Sequence, residues 1–233
     1  MAASTLDSLA PDAGSVLLFG GGGHGKTLID LVRAAGKYNV IAILDDGLVA
    51  GTAVMGVPVL GGANLLPELY RRGMRLAVNG VGGINHVDVR LKVFELLQAA
   101  GFTFPTLVHP TACVEPSACL ADGVQVLAKS YISSEARIDF GTVVNASVVV
   151  SHDCRIGRVV NLSPGAMLAG GVTIEDFAQI GMAVTINLNL TIGRGARVGN
   201  GATVKSDVPA GTVVRAGTIW PVRNETPSSM GAA

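Results

Sequence analysis

A six-residue period governs the second half of the chain and limits what it can fold into. From residue 108 to 209, seventeen consecutive sextets each begin with Ile, Leu or Val, and no insertion interrupts them. These first residues are Val108, Val114, Leu120, Val126, Ile132, Ile138, Val144, Val150, Ile156, Leu162, Leu168, Ile174, Ile180, Ile186, Ile192, Val198 and Val204. An α-helix cannot keep such positions on one face, and simple alternation along a strand does not require a register of six.

The period predicts a three-sided coil. If six residues form one flat side and a corner, eighteen residues complete one turn of a triangular prism. The large first residue and the small or β-branched fifth residue of each sextet then point inward. Hexapeptide repeats are a signature of β-helices, in which each coil buries its interior only against its neighbours. The alternative, a β-sandwich with valine-rich strands, does not explain an unbroken register of this length.

Composition limits the classes of partner. The chain has 233 residues, 49% of them hydrophobic and 15% charged, with equal numbers of acidic and basic side chains. Zero net charge argues against nucleic acid or an anionic membrane as the main partner. The first fourteen residues lack the pattern of a signal peptide, and no apolar stretch of about twenty residues could span a bilayer. We therefore expect a cytoplasmic protein with disordered tails at 1–14 and 224–233, and with Cys154 buried at a small inward position.

Residues 15–107 follow a different pattern, in which short apolar runs alternate with helical stretches. The sequence predicts strands at 16–19, 40–44, 57–60, 76–78 and 102–106, and helices at 26–35, 64–72 and 86–100. Gly36 is the expected C-cap of the first helix. This alternation predicts a small parallel α/β sheet. The expected organisation is a Rossmann-like α/β half-domain at 15–107 followed by an all-β prism at 108–223.

A glycine-rich loop follows the first predicted strand. Gly20, Gly22 and Gly25 satisfy the GxGxxG spacing, and Asp45 lies twenty residues further on, which is the dinucleotide fingerprint. An NAD-dependent oxidoreductase is therefore one alternative, although about ninety residues are too few for two mononucleotide-binding halves. Glycines followed by a helix N-terminus suit any nucleotide diphosphate. Asp45 could bond a base or a ribose hydroxyl, or the two aspartates could be a solvated strand end.

The two parts together resemble one family. The motifs are Gly-Gly-Gly-Gly-His-Gly-Lys at 20–26, Leu-Asp-Asp at 44–46, His-Pro-Thr-Ala at 109–112, Asn-Ala-Ser-Val-Val-Val-Ser-His-Asp at 145–153 and Pro-Gly-Ala-Met-Leu-Ala-Gly-Gly at 164–171. This combination resembles the PglD/NeuD-type sugar acyltransferases, whose prism is a left-handed parallel β-helix. The resemblance covers nearly all of residues 16–209. It implies a homotrimer that transfers an acetyl group from acetyl-CoA to a nucleotide-activated amino sugar, such as a 4-amino-4,6-dideoxy sugar for bacterial surface glycans.

The resemblance also implies roles for particular residues. His152 would be the general base and Asp153 the acidic partner that polarises it. Gly170 would offer its N–H to the thioester oxygen. The contacts to acetyl-CoA would include Asn161, Gly181, Met182 and Asn200, and those to the nucleotide-sugar would include Gly22, Gly23, His24, Asp45, Asp46 and Asn145.

Two positions depart from the family pattern. Position 161 is often His in the family and is Asn here, so a titrating second histidine is unavailable at this position. Residues 217–223 replace a usual Gly-x-Pro-Ala run, which affects the distal contacts of the coenzyme.

The register supports the histidine assignment independently of the family. His152 is the third residue of its sextet, so we expect it to project outward and to stack beside Gly170, one coil later. Because adjacent strands lie about 4.8 Å apart, the missing side chain at Gly170 would leave a slot for the thioester. Met182 and Asn200 are likewise one coil apart and would form a second column.

The predicted reaction is N-acetylation of the amino sugar. We expect no metal to take part, because a zinc site on such a prism needs several histidines and this one contains only His109 and His152. His86 and His109 receive no functional role. O-acetylation of a sugar hydroxyl is an alternative that needs the same base. A non-catalytic scaffold is an alternative of another class, against which the His152–Asp153 pair argues.

Overall fold

A computed structural model describes residue 6 and residues 9–84 and 87–221. The N-terminal domain contains one five-stranded sheet, with strands ordered β3-β4-β2-β1-β5. All pairings are parallel except the β3–β4 hairpin. Its strands are β1 (Ser15–Phe19), β2 (Asn39–Leu44), β3 (Ala53–Val54), β4 (Val57–Gly61) and β5 (Leu76–Asn79). Its helices are α1 (Gly23–Ala35), a 3₁₀ turn (Ala63–Leu65), α2 (Leu66–Arg71) and α3 (Val87–Ala99).

Most predicted elements of this domain are confirmed, with three differences. Helix α1 begins three residues earlier than predicted, inside the glycine loop, and ends at Gly36 in the left-handed conformation as expected. The antiparallel hairpin was not predicted. The predicted strand at 102–106 is wrong, because only Thr103 bridges to Leu76 there. Phe102 and Phe104 alternate as in a strand, but their rings pack into the apolar core that joins this domain to the prism.

The prism is a left-handed parallel β-helix, as predicted. Two-residue strands stack eighteen residues apart on three faces. Face 1 contains β6 (Leu107–Val108), β9 (Gln125–Val126), β12 (Val143–Val144), β15 (Asn161–Leu162), β18 (Gln179–Ile180), β21 (Arg197–Val198) and β23 (Val213–Val214). Face 2 contains β7 (Cys113–Val114), β10 (Tyr131–Ile132), β13 (Val149–Val150), β16 (Met167–Leu168), β19 (Thr185–Ile186), β22 (Thr203–Val204) and β24 (Ile219–Trp220). Face 3 contains β8 (Cys119–Leu120), β11 (Arg137–Ile138), β14 (Arg155–Ile156), β17 (Thr173–Ile174) and β20 (Thr191–Ile192).

The six-residue register has the predicted structural meaning. The first and fifth residues of the sextets form the continuous interior of the prism, and the Cys154 thiol is buried among them. The fourth residue of each sextet, from residue 123 to residue 201, has a positive φ between +52° and +71° and makes the turn into the next face. After Val204 the coil shortens by two residues, so that Val204 pairs with Trp220. The prism therefore continues beyond the last predicted sextet.

The N-terminal domain packs against face 1. The outward side chains of the first four face 1 strands, Leu107, Gln125, Val143 and Asn161, are all buried. At the corner between faces 3 and 1, the rings of Phe94 and Phe140 lie 4.8 Å apart. Face 1 is thus closed by the domain over these coils, and this contact positions the glycine loop on the prism.

Candidate active site

His152 and Asp153 lie at the corner between faces 2 and 3. His152 is exposed, as predicted from its place in the sextet, and its Nδ1 lies 2.7 Å from Oδ2 of Asp153. Asp153 is the fourth residue of the sextet and adopts φ 60°, a left-handed conformation that Asp tolerates better than most residues. A carboxylate only accepts hydrogen bonds, so Nδ1 carries the proton whenever the ring is neutral. Nε2 is then the free basic atom.

Gly170 lies directly beneath the imidazole. A Cβ added at Gly170 would be 2.5 Å from Cε1 and 2.6 Å from Nε2 of His152. The ring therefore occupies the space above Gly170 that the sequence suggested for a thioester. The neighbouring Gly171 N–H donates to the carbonyl of His152, whereas no described residue accepts from the Gly170 N–H. The imidazole of His152 and an unpaired amide donor thus meet at one point of this corner.

A second group of predicted residues lies at the corner between faces 1 and 2. Gly181, Met182 and Asn200 lie together there, and Asn145 lies two coils earlier on the same corner. The Met182 N–H donates to Oδ1 of Asn200 at 2.9 Å, which fixes the orientation of this amide. Asn145 is half-buried. Face 2 therefore separates Gly181, Met182 and Asn200, three of the predicted coenzyme contacts, from His152 and Gly170 by its full width.

A groove of about 340 Å³ adjoins this second corner. Its walls include Ile84 from the N-terminal domain and Gln179, Arg197, Asn200 and Arg215 from the prism. Two arginines and no acidic side chain line it, so it suits an anionic ligand. Sequence reasoning missed both arginines.

Asn161 does not join either group. It is buried on face 1, where its Nδ2 donates to Oγ of Ser163 at 3.0 Å. Gly83 lies so close that an added Cβ would be 2.6 Å from Oδ1 of Asn161. The loop that follows β5 therefore covers this side chain.

The glycine loop leaves open space where a ligand could bind. Gly20 has φ 98°, and its carbonyl would lie 2.2 Å from a Cβ at Gly25, so neither position admits a side chain without strain. In contrast, no atom lies within 4 Å of a Cβ added at Gly22 or Gly23. Gly22 is the N-cap and Gly23 the first residue of helix α1, whose first N–H groups and dipole favour an anion such as a diphosphate.

Asp45 and Asp46 hold the loops around this site. Asp45 accepts from the N–H groups of Gly21, at 2.7 Å, and of Gly47, at 2.8 Å. Asp46 accepts from the N–H of Ala63 at 3.0 Å. Both carboxylates therefore accept from backbone donors of the surrounding loops, which argues against a merely solvated strand end, and each keeps acceptor capacity for a ligand.

His24 connects the glycine loop to the prism. Its Nε2 lies 2.8 Å from Oε1 of Gln125 on face 1. Burial, followed by the nearby Arg90 cation, lowers the pKa of His24 to about 4. Burial also lowers the pKa of Arg90 to about 9, which leaves its guanidinium protonated at neutral pH. The guanidinium donates to the carbonyls of Asn79, Val81 and Gly141 and so ties the loop after β5 to the prism.

Other features of the described residues add no site. A larger groove of about 730 Å³ lies along face 3 and contains none of the predicted site residues. Its charged lining residues are Arg137, Arg155, Arg194, Asp139, Glu175 and Asp176. No group of three or more His, Cys, Asp or Glu side chains could hold a metal ion in the described part of the chain. None of its helices is both long and apolar enough to cross a membrane.

Comparison with known proteins identifies the relatives of this arrangement. Residues 15–97 match the family model of the PglD N-terminal domain. GDP-perosamine N-acetyltransferase of Escherichia coli O157:H7 is 31% identical over 72% of this chain and 76% of its own length. A variant of perosamine N-acetyltransferase from Caulobacter crescentus, solved with CoA and GDP-perosamine, is 33% identical with a TM-score of 0.82, covering 88% of this chain and 94% of that one. The acetyltransferase domain of PglB from Neisseria gonorrhoeae, solved with acetyl coenzyme A, is 32% identical with a TM-score of 0.79, covering 88% and 97%.

Proposed function

The chain belongs to the PglD/NeuD-type sugar acyltransferase family, and from that premise we propose that it transfers the acetyl group of acetyl-CoA to the amine of a nucleotide-linked amino sugar. The single observation that carries the proposal is the His152 geometry: a 2.7 Å contact to Asp153 beside an unpaired amide N–H at Gly170. These are the base and the oxyanion donor that acyl transfer requires.

The reaction follows from these two groups. The sugar amine attacks the thioester carbonyl carbon and loses its proton to Nε2 of His152. The Gly170 N–H bonds the oxyanion of the tetrahedral intermediate. Collapse of the intermediate breaks the C–S bond, and the CoA thiolate takes the proton from the histidine. An amide and free CoA result, and Asp153 stabilises the imidazolium between the two proton transfers.

The active site is composite, formed between two protomers of a homotrimer. His24 and the glycine loop contact face 1 through Gln125, whereas His152 lies at the corner opposite face 1. A ligand on the glycine loop of one protomer therefore cannot reach the His152 of that same protomer across the prism. Face 2 supports the assembly, because the first residues of its strands carry no charge and include Met167 and Ile219, which are 53% and 57% exposed. Packing of face 2 around a threefold axis would bring the Met182–Asn200 corner of one protomer to the His152 corner of the next.

The proposed acceptor is a GDP-linked amino sugar. GDP-perosamine is named in a relative that matches 72% of this chain and in a solved structure that covers 88% of it, which supports this choice. A relative named UDP-N-acetylbacillosamine N-acetyltransferase, from Bacillus subtilis, matches 49% of this chain. Since its substrates are cytoplasmic metabolites, we place the enzyme in the cytoplasm.

Direct assay tests the proposal. Purified protein is incubated with acetyl-CoA and with GDP-, UDP- or dTDP-linked amino sugars, and thiol release is followed together with the mass of the sugar product. Acetylated amino sugar with one of them, and its loss in His152→Ala at unchanged melting temperature, is the expected result. Acetylation of a hydroxyl in preference to the amine would replace the reaction by O-acetylation. No transfer to any nucleotide-sugar would overturn the proposal.

A further inference from the structure

Gln125 makes two hydrogen bonds that together fix its orientation. Its side chain is buried between face 1 and the N-terminal domain. Nε2 donates to the carbonyl of Asn79 at 3.0 Å, and Oε1 lies 2.8 Å from Nε2 of His24. Turning the amide over would place Oε1 against a carbonyl oxygen, where two acceptors would repel. Because the carbonyl of Asn79 accepts only, Gln125 must present its oxygen to His24.

The orientation of Gln125 determines the tautomer of His24. An oxygen acceptor opposite Nε2 requires a proton on Nε2. Burial and the Arg90 cation favour the neutral ring, and among the described residues Arg90 is the charged group that acts on His24. A Cβ added at Gly82 would lie 3.9 Å from Cβ of His24, so the uncharged loop after β5 also packs close to this ring. The ring therefore carries one proton, on Nε2, and Nδ1 keeps its lone pair.

Nδ1 of His24 is available to a ligand. No described residue makes a hydrogen bond to it. His24 belongs to the first turn of α1, next to Gly22 and Gly23, which have open space above them. A lone pair here accepts a hydrogen bond and cannot neutralise a phosphate.

We propose that Gln125 is a positioning residue for the acceptor substrate, holding His24 in the Nε2–H tautomer so that Nδ1 accepts a hydrogen bond from the nucleotide-sugar. This inference rests on the proposed function. The donor is a hydroxyl, amide N–H or ammonium group on the sugar or the base. The prism thus sets the chemistry of the nucleotide-sugar site as well as that of the acetyl transfer.

The tautomer is tested first, on the full-length wild-type protein. The chain has four histidines, so ¹⁵N-histidine labelling gives few ring signals, and His24→Asn identifies that of His24. At pH 7 we expect a neutral ring protonated at Nε2. A ring protonated at Nδ1, or at both nitrogens, would overturn the inference without any ligand being needed.

Binding of a GDP-amino sugar tests the consequence. Gln125→Glu keeps the shape but places a carboxylate against Nε2, which favours the doubly protonated ring and turns Nδ1 into a donor. We expect Kd, measured by calorimetry, to rise about tenfold relative to wild type at pH 6–7. The ratio of the Gln125→Glu Kd to the wild-type Kd should fall towards one as the pH rises to 9, because the ring loses its second proton. The matched control Gln98→Glu, which adds the same charge on an exposed face of α3, should match wild type at every pH.

Further arms separate the alternatives. If the donor is on the sugar, Gln125→Glu should leave the Kd of GDP unchanged. If the donor is on the base, the substitution should raise the Kd of GDP by the same factor as the Kd of the GDP-amino sugar. Tighter binding of both ligands by Gln125→Glu at low pH would show that His24 serves the diphosphate as a cation, contrary to the inference. If Gln125→Glu does not fold, the ¹⁵N spectrum of the wild-type protein still shows whether the neutral His24 ring carries its proton on Nε2, as the inference requires. Wild-type protein that binds no nucleotide-sugar would end both proposals, while binding with an Nδ1–H ring would end only this one.

Discussion

Replacing Gly170 by alanine should displace the proposed base while leaving the fold intact. The new Cβ would lie 2.5 Å from Cε1 of His152, whereas nonbonded carbon atoms settle at about 3.5–4.0 Å. The ring must therefore move by about 1 Å. A misplacement of about 1 Å can cost about 10²-fold in rate, so kcat/KM should fall about 10²-fold, equivalent to about 2.7 kcal/mol. Melting temperature should change little, because the His152 side chain is 62% exposed and free to yield.

Thiol release from acetyl-CoA with the amino-sugar acceptor measures this effect. Alanine retains the N–H at position 170, so the experiment tests the position of the ring and not the amide donor. Ser134→Ala, at the equivalent corner one coil earlier, is the control and should keep wild-type kcat/KM. In a His152→Ala background, Gly170→Ala should cost nothing further, since the group that it displaces is gone. Wild-type activity of Gly170→Ala alone would refute the assignment of His152 as the base.

Three further predictions concern stability and assembly. Ile180→Asp buries an unpaired carboxylate inside the prism and should lower the free energy of unfolding by several kcal/mol; an unchanged urea midpoint would contradict the inward assignment of Ile180. Because the pKa of His24 is about 4 in the fold and 6.5 in an exposed chain, unfolding free energy should fall as pH decreases from 6.5 to 4, by at most about 1.4 kcal/mol per pH unit, and this loss should be absent in His24→Asn. Light scattering should show the proposed trimer for the wild type and for Thr173→Arg, at the equivalent position on face 3, and a smaller species for Met167→Arg on face 2; a trimeric and active Met167→Arg would show that face 2 is not the interface.

The prism could be predicted in detail because its constraint is local. Each coil contacts only the coils next to it, so a period of six determines which side chains face inward and which turn at the fourth position. The shortened last coil could not be predicted in this way, because there the period breaks between Val204 and Val214. The prediction of the α/β domain failed where an alternating apolar pattern can indicate either a strand or a contact between domains. Phe102 and Phe104 alternate like a strand but are spaced for packing against the prism.

The position of a site residue could be predicted only where the six-residue register or a sequence motif alone determines it. His152 and Gly170 meet because they are eighteen residues apart, and this distance can be counted in the sequence. The roles of Gln125 and Arg90 depend on which surface of the N-terminal domain meets the prism. A glutamine at an outward position is ordinarily a solvated residue, and an arginine on a helix is ordinarily on its surface. Their burial follows from a long-range contact that no local pattern records.

The outward columns of the prism nevertheless contain a signal of this contact. On face 3 the column includes Arg137 and Arg155, which are exposed and make no ion pair among the described residues. The face 1 column carries no charge from Leu107 to Gln179, and the N-terminal domain covers its first four members. On face 2 the column of first strand residues, from Cys113 to Ile219, is uncharged, with Glu115 and Lys205 beside it at the two ends, and nothing in one protomer covers it within the described residues. Since burying an unpaired charge is costly, an uncharged column indicates a face that is covered. By this reasoning face 1 is covered by the N-terminal domain, and face 2 is the surface that we propose for the neighbouring protomer, which would bring the acceptor to His152.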